Sequence, residues 1–292
     1  MASTDAQGDA RRQDDARVVA LHQRHLAGCV ALSRSASWNQ NEADWRLMLG
    51  FGRGWGISAP EGTICASTIA LPYGADFAWI AMVLVLPEHR RLGYASRLLR
   101  GALAELEQEN RVALLDATPE GRAVYVQEGF RDFWGFTRFS LSTAFLPKQE
   151  AKPLTSTHWS QVLALDALAF GGDREPVLRN LAARQPSAAL VAERNGQVVG
   201  FVLAREGREA MQVGPLVARD AGMARKLLAA ALGAVPGPVY VDIADHAGPL
   251  QAWALNQGFV VQRPFTRMAH GPRAYAPGDA SLVYCPTGPE LG

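Results

Sequence analysis

The sequence predicts an α/β protein of two tandem domains, each a mixed sheet with helices on its faces. Three observations carry that reading. The chain has 292 residues, more than one compact domain usually holds. Short segments recur along it at one fixed displacement, the mark of a duplicated unit. Within each copy, apolar runs of strand length alternate with stretches striped at helical spacing.

The repeat decides the domain count. Arg90, Gly93, Ala95, Leu98 and Leu99 recur as Arg219, Gly222, Ala224, Leu227 and Leu228, a displacement of 129 (219 minus 90). Gly129 and Phe130 recur as Gly258 and Phe259, and Phe136, Thr137 and Arg138 as Phe265, Thr266 and Arg267, at the same displacement. One short match has no weight, but three at a common offset point to duplication. The first domain is expected over residues 18–146 and the second over 153–270, divided by a polar, proline-flanked stretch from Pro147 to Lys152. Residues 1–17 read as a disordered polar tail and 271–292 as an extension.

Within the first copy, Ala20 to Ser35 and Asn41 to Gly50 read as amphipathic helices, with Asn41 and Glu42 suited to a helix start. Strands are expected at Trp55 to Ser58, Thr63 to Leu71 and Phe77 to Leu86. The last has no polar residue, so it should be a central strand covered on both faces. Ala95, Leu98, Leu99, Ala102, Leu103 and Leu106 then form one helical stripe. A strand at Val112 to Ala117, a helix from Pro119 to Glu128 and a strand around Gly135 to Leu141 complete the unit. In the second copy the stripe is Ala224, Leu227, Leu228, Ala231 and Leu232, and Asn195-Gly196 joins strands Ala188 to Arg194 and Gln197 to Ala204 as a hairpin turn.

Composition narrows the function. Basic and acidic residues number 29 and 28, so the formal charge of +1 supplies no global field for nucleic acid or an anionic membrane. A small or locally recognised partner is expected instead. Cys29, Cys65 and Cys285 are odd in number and far apart, without metal-ligand or disulfide spacing, and read as reduced thiols in a soluble, cytoplasmic protein that holds no metal. Arg11-Arg12 is followed by Gln13, Asp14 and Asp15, where an export signal would need an apolar stretch.

The loop Pro87-Glu88-His89-Arg90-Arg91-Leu92-Gly93-Tyr94-Ala95 joins the apolar strand to the striped helix. Such a loop can aim free backbone N–H groups at one point, where the helix dipole adds positive potential suited to an anion. Taken alone it fits an ordinary strand-to-helix turn with two solvated arginines equally well. A Gly-Lys-Ser/Thr ending and a three-glycine dinucleotide fingerprint are both absent from it.

These residues resemble the GNAT superfamily of N-acetyltransferases. Val85, Pro87, Arg90, Gly93 and Ala95 match its cofactor loop, and Tyr125 followed by Gly129-Phe130 matches its tyrosine motif, over a layout from about Val18 to Leu141. The resemblance implies, for each domain, a mostly antiparallel sheet with a splayed central strand pair. It implies acetyl-CoA as co-substrate, its pyrophosphate held by the loop from Arg90 and Arg91 through Leu92, Gly93, Tyr94, Ala95 and Ser96. Backbone groups of Val83, Leu84 and Val85 would pair with the pantetheine arm, and Thr118 would flank the cofactor with Asp116 from the other side. The acceptor, a small-molecule or peptide amine, would then lie near Trp79, Ala81 and Met82.

Acetyl transfer requires a neutral amine to attack the thioester and a thiolate to leave, and a thiol of pKa near 8.5 leaves more readily if protonated. Tyr125 suits that proton donation, with a helix-packed tyrosine as the plain alternative. No acid stands in Phe77 to Leu86, so the base stays open among Asp76, His89, Asp116, Glu120 and a water chain. Trp38, Trp45 and Trp79 are candidate acceptor walls or core residues. The second copy has Ala254 where the tyrosine should stand, so it reads as a degenerate partner that shapes the acceptor site or a homodimer contact.

Overall fold

A computed structural model describes residues 16–60, 62–142, 151–271 and 277–292. The first repeat runs β1 (Arg17–Leu21), α1 (Leu26–Ser35), α2 (Glu42–Phe51), β2 (Arg53–Ser58), β3 (Ile64–Pro72), β4 (Phe77–Val85), α3 (Tyr94–Gln108), β5 (Val112–Ala117), α4 (Pro119–Gln127) and β6 (Arg131–Leu141). The second runs β7 (Lys152–Pro153), α5 (Trp159–Phe170), α6 (Glu175–Arg184), β8 (Leu190–Arg194), β9 (Gln197–Arg205), β10 (Met211–Ala218), α7 (Ala221–Leu232), β11 (Val239–Ala244), α8 (Gly248–Asn256) and β12 (Val260–His270). A last strand, β13 (Val283–Cys285), follows the repeat.

Local chemistry explains most of these bounds. Asn41 caps α2 reciprocally with Asp44, its Oδ1 accepting from Asp44 N at 3.1 Å while Asp44 Oδ2 accepts from Asn41 N at 3.0 Å. The α3 stripe of Leu98, Leu99, Ala102, Leu103 and Leu106 is buried as its spacing predicts, and β4 is buried along nearly its whole length. One expected element is corrected. Residues 17–21 form a strand paired with β2, and the helix expected from Ala20 begins at Leu26. The four apolar residues Val18 to Leu21 are too few for periodicity to separate a strand from a helix start. Arg17 therefore leaves the expected tail, whose residues 1–15 lie outside the described residues, as does the expected boundary through residue 150.

The two domains do not keep separate sheets. Among the described residues the strands form one sheet in the order β1-β2-β3-β4-β5-β12-β6-β11-β10-β9-β8-β7, with β13 also on β10. Strand β12 of the second repeat occupies the place beside β5, and β6 of the first lies beside β11. The last strands of the two repeats have been exchanged. They pair with each other at the centre, where the repeat equivalents Phe136 and Phe265 lie directly opposite, their rings stacked at 5.0 Å. A pseudo-twofold axis passes through that pair, so one continuous sheet and a shared core replace a hinge between domains.

Candidate active site

Strand β4 pairs with β5 only from Phe77 to Trp79, opposite Val112 to Leu114, and then the two diverge. A bulge drives the divergence. Ser67 faces Leu84 and Ile69 faces Ala81, which leaves Met82 and Val83 together opposite Thr68. Met82 takes a left-handed φ of 53°, an uncommon state for a non-glycine residue, and its carbonyl accepts from Ser67 Oγ at 2.6 Å. The strand edge from Ile80 onward is thereby turned toward an open wedge.

At the far end of β4 the chain makes a single turn at Pro87–His89 and enters α3 through Arg91 at φ 64° and Gly93 at φ 75°. Gly93 is the N-cap and offers no side chain to close the helix end. Arg90 and Arg91 are exposed there, with Arg90 Nε donating to Val85 O at 3.3 Å, and the Tyr94 side chain is buried beside His89. Between β5 and α4, Thr118 caps α4 by accepting from Gly121 N at 3.2 Å.

Tyr125 sits on α4 and faces the wedge. Gly129 ends the helix at φ 89°, where a side chain would be strained, and Phe130 N returns to Tyr125 O at 3.0 Å. Phe130 is buried with its ring edge-on to Tyr125 at 5.7 Å. The Gly-Phe pair is thus a structural device that orients Tyr125. Burial pushes the phenol up to about 12, and no described residue hydrogen-bonds its hydroxyl.

The wedge widens into a cavity of about 670 Å³ including its open mouth. Met82, Val83, Thr118 and Tyr125 line it, together with Trp38 and Asp116. Trp79, an expected acceptor residue, does not line it. Its ring is fully buried, and its indole N–H donates to Pro289 O at 2.9 Å. Trp45 is likewise core, donating to Ser33 Oγ at 2.7 Å. Of the candidate bases, Asp76 and Glu120 are exposed outside the cavity lining, and His89 stacks on Tyr94. Asp116 reaches the cavity but both its oxygens are taken by Arg267, at 2.8 and 2.9 Å, while burial raises its carboxyl to about 6.

The opposite wall comes from the second repeat, through Tyr240, Arg263 and Phe265, and from the segment that follows it, through Pro289 and Glu290. The loop bearing Trp38 and Gln40 is itself pinned by that repeat. Asn39 Oδ1 accepts from the backbone N–H of Glu209 and Ala210 at 2.9 and 3.0 Å, and Asn39 Nδ2 donates to Ala210 O at 3.0 Å. Sequence reading missed these residues as parts of the site because they lie more than 80 positions from Tyr125 and outside its motif.

The equivalent places in the second repeat are filled by its own chain. Asp220 caps α7, its Oδ1 accepting from Met223 N at 2.8 Å and its Oδ2 from Arg194 at 3.0 Å, so a carboxylate sits where Gly93 leaves a helix end open. Strand β13 pairs with β10 at Leu216 and Val217, along the edge that corresponds to the open edge of β4. Close approach requires Gly214, since a Cβ there would stand 2.2 Å from Pro286 O.

Known families match both repeats. A profile described as Acetyltransferase (GNAT) family matches residues 3–130, and one described as Acetyltransferase (GNAT) domain matches residues 162–284. The chain is 27% identical over 248 residues to the uncharacterized N-acetyltransferase YitH of Bacillus subtilis, covering 83% of this chain and 87% of that one. It is similar in fold to a putative acetyltransferase of Pyrococcus horikoshii, with a TM-score of 0.80 and 19% identity over 95% of this chain and 96% of the other. It is also similar to a tandem GNAT protein from the clavulanic acid biosynthesis pathway, with a TM-score of 0.62 and 17% identity over 88% and 99%. Among the described residues no cluster of His, Cys, Asp or Glu could hold a metal, and no helix is long and apolar enough to cross a membrane. Two GNAT matches on one chain, at the two copies of one duplicated unit, identify it as a member of the GNAT superfamily, an N-acetyltransferase with tandem GNAT domains.

Proposed function

We propose that the protein transfers the acetyl group of acetyl-CoA to a primary amine at a single site in the first repeat. Pyrophosphate binds at the uncapped start of α3, on backbone N–H groups from Arg91 to Ser96, with Arg90 and Arg91 adding charge. The pantetheine arm lies along Val83 to Val85 as an added strand, and the thioester reaches the wedge beside Met82. The amine nitrogen attacks the carbonyl carbon, the C–S bond breaks, and Tyr125 protonates the departing sulfur.

The observation that carries this reading is the position of Tyr125. Tyr125, whose hydroxyl is free of partners among the described residues, lines the same cavity as the open edge of β4. A phenol held at about 12 stays protonated at neutral pH, and its donation to a thiolate of pKa near 8.5 is driven by the proton that the attacking nitrogen gives up as the C–S bond breaks. The acceptor is a small amine rather than a macromolecule, since the amine subsite is a recessed cavity walled by both repeats. The test is CoA release from acetyl-CoA against a panel of primary amines, alongside calorimetric titration with acetyl-CoA. Turnover with at least one amine supports transfer, whereas cofactor binding without turnover on any would make the chain a cofactor-binding module.

A further inference from the structure

Residues 283–292 take an unusual course. β13 fills the cofactor-type groove of the second repeat, and the following residues cross to the first repeat's cavity. Their backbone is anchored at each step. Pro289 O accepts from Trp79 Nε1, Leu291 O from Tyr73 OH at 2.9 Å, and Gly292 O from Arg174 Nη1 at 2.6 Å. Arg174 is itself held by both oxygens of Asp166, at 2.9 and 2.8 Å.

That path delivers the Glu290 carboxylate to the cavity wall. The residue is 2% exposed, yet only one of its oxygens is used. Oε1 takes Arg205 Nη2, while Oε2, like the Nε of Arg205 itself, has no hydrogen-bond partner among the described residues. Across the same cavity, Gln40 is 4% exposed and its Oε1 is also unpartnered. A buried acceptor left unsatisfied costs on the order of 1–3 kcal/mol, so two acceptors in one cavity are suited to a donor that arrives with the ligand. Both are oxygens, so the missing group donates at least two hydrogens. Arg205, Arg138, Asp44 and Asp116 surround the carboxylate, and burial raises its pKa against the pull of the two arginines. Asp44, the nearer like charge, is occupied by Arg184 and Arg205.

We propose that Glu290 and Gln40 form the ammonium subsite of the acceptor, and that Glu290 takes the first proton from the bound amine. This rests on the amine-acetylation reading above. The substrate class is a small primary amine that binds as its cation on an apolar or aromatic arm, the arm lying against Trp38, Met82, Tyr240 and Phe265. In the transfer, Glu290 Oε2 accepts one proton from the ammonium and the freed nitrogen lone pair forms the C–N bond. The C–S bond breaks as Tyr125 gives its proton to sulfur, and the second proton lost by nitrogen restores the phenol. The carboxyl then releases its proton to solvent, so that one amine cation and acetyl-CoA yield one amide, CoA and one proton. The second repeat is inactive as a transferase by its lost tyrosine and filled groove, and the extension that follows it supplies the acidic group that the first repeat's own β4 lacks.

The test uses the full chain with 2-phenylethylamine and simple alkylamines as acceptors, and 2-phenylethanol as the neutral isostere in competition. Glu290→Gln is expected to lower amine kcat/KM about 100-fold with the acetyl-CoA Kd within twofold, and to abolish the preference for amine over alcohol as an inhibitor. Gln40→Met, which keeps the length of the side chain without its acceptor, is expected to raise the amine KM about 10-fold with kcat within twofold. If Glu290→Gln does not fold, Gln40→Met decides alone. Wild-type turnover retained within twofold in the variants would overturn the subsite while leaving amine acetylation intact. No turnover by the wild type on any of these amines, with acetyl-CoA bound, would overturn both.

Discussion

Arg138 and Arg267, repeat equivalents 129 positions apart, each reach across the exchanged strands to an aspartate of the other repeat. Arg138 binds both oxygens of Asp242 at 2.7 Å, and Arg267 those of Asp116 at 2.8 and 2.9 Å. The registers explain it, since Arg138 lies directly opposite Asp242 on β11 and Arg267 opposite Asp116 on β5. Stacking completes both sites. The Arg267 guanidinium lies between Trp79 and Trp134 at 4.5 and 4.4 Å, and that of Arg138 between Tyr240 and Phe265 at 5.3 and 5.2 Å. Two buried bidentate pairs therefore record the exchange in charge as well as in hydrogen bonding.

Breaking one such pair leaves a buried charge without its partner. Arg267→Met is expected to cost about 3–5 kcal/mol by denaturant unfolding. Its pH dependence has a definite sign. The Asp116 carboxyl, already raised to about 6 by burial, rises further once the arginine is gone. A carboxyl whose folded pKa lies above its unfolded value of about 3.9 favours the folded state while protonated and loses that advantage as pH rises. The deficit of Arg267→Met relative to wild type should thus shrink between pH 8 and pH 5. A deficit that widens on acidification would contradict the burial argument.

One acetyl-CoA should bind per chain. At the second helix start Asp220 already supplies the anion, held below its ordinary range by the Met223 and Gly222 backbone groups and Arg194, and β13 occupies the strand edge. Calorimetry is expected to give a stoichiometry of one, unchanged in Asp220→Ala. That variant loses a helix cap and about 1 kcal/mol of stability. Two equivalent sites in the wild type would refute the self-occupation of the second groove.

The wall that carries Trp38 and Gln40 depends on Asn39, whose amide satisfies two N–H groups and one carbonyl of the second repeat's β9–β10 connection. Asn39→Ala strips all three from a buried position. It should raise the amine KM at least fivefold while the acetyl-CoA Kd stays within twofold, because the cofactor loop lies at the other end of β4. Equal effects on both ligands would indicate a general loss of structure instead.

Much of this was legible in the residues. The buried β4, the striped α3, the Gly93 loop and the Tyr125 motif are local patterns, each set by neighbours within about 30 positions. The strand exchange was not, because β6 and β12 are equivalent in sequence and either could complete either sheet. Periodicity reports which face is buried but not which repeat supplies the neighbouring strand. Glu290 and Gln40 were missed for a related reason. Their role arises only when a segment 165 positions past Tyr125 is anchored by Trp79, Tyr73 and Arg174.

Tyr125→Phe separates proton donation from packing, since the ring and its contact with Phe130 are kept and only the hydroxyl is lost. General acid help is worth about 10²–10⁴ in rate, so kcat should fall by at least 100-fold with the acetyl-CoA Kd unchanged within twofold. The pH profile distinguishes a donor from a passive hydroxyl. With the phenol at about 12, Tyr125 remains protonated throughout the usable range, and its ionisation contributes no alkaline fall in rate below about pH 10. Stability behaves differently. Between about pH 10 and 12 the unfolded phenol loses its proton while the folded one keeps it, so the folded state weakens less across that window in Tyr125→Phe than in the wild type, the remainder coming from the other buried phenols, Tyr73, Tyr94 and Tyr284. A variant with wild-type turnover would remove Tyr125 from the reaction, and an alkaline limb near pH 8 that disappeared in the variant would mean that burial does not hold the phenol where the structure indicates.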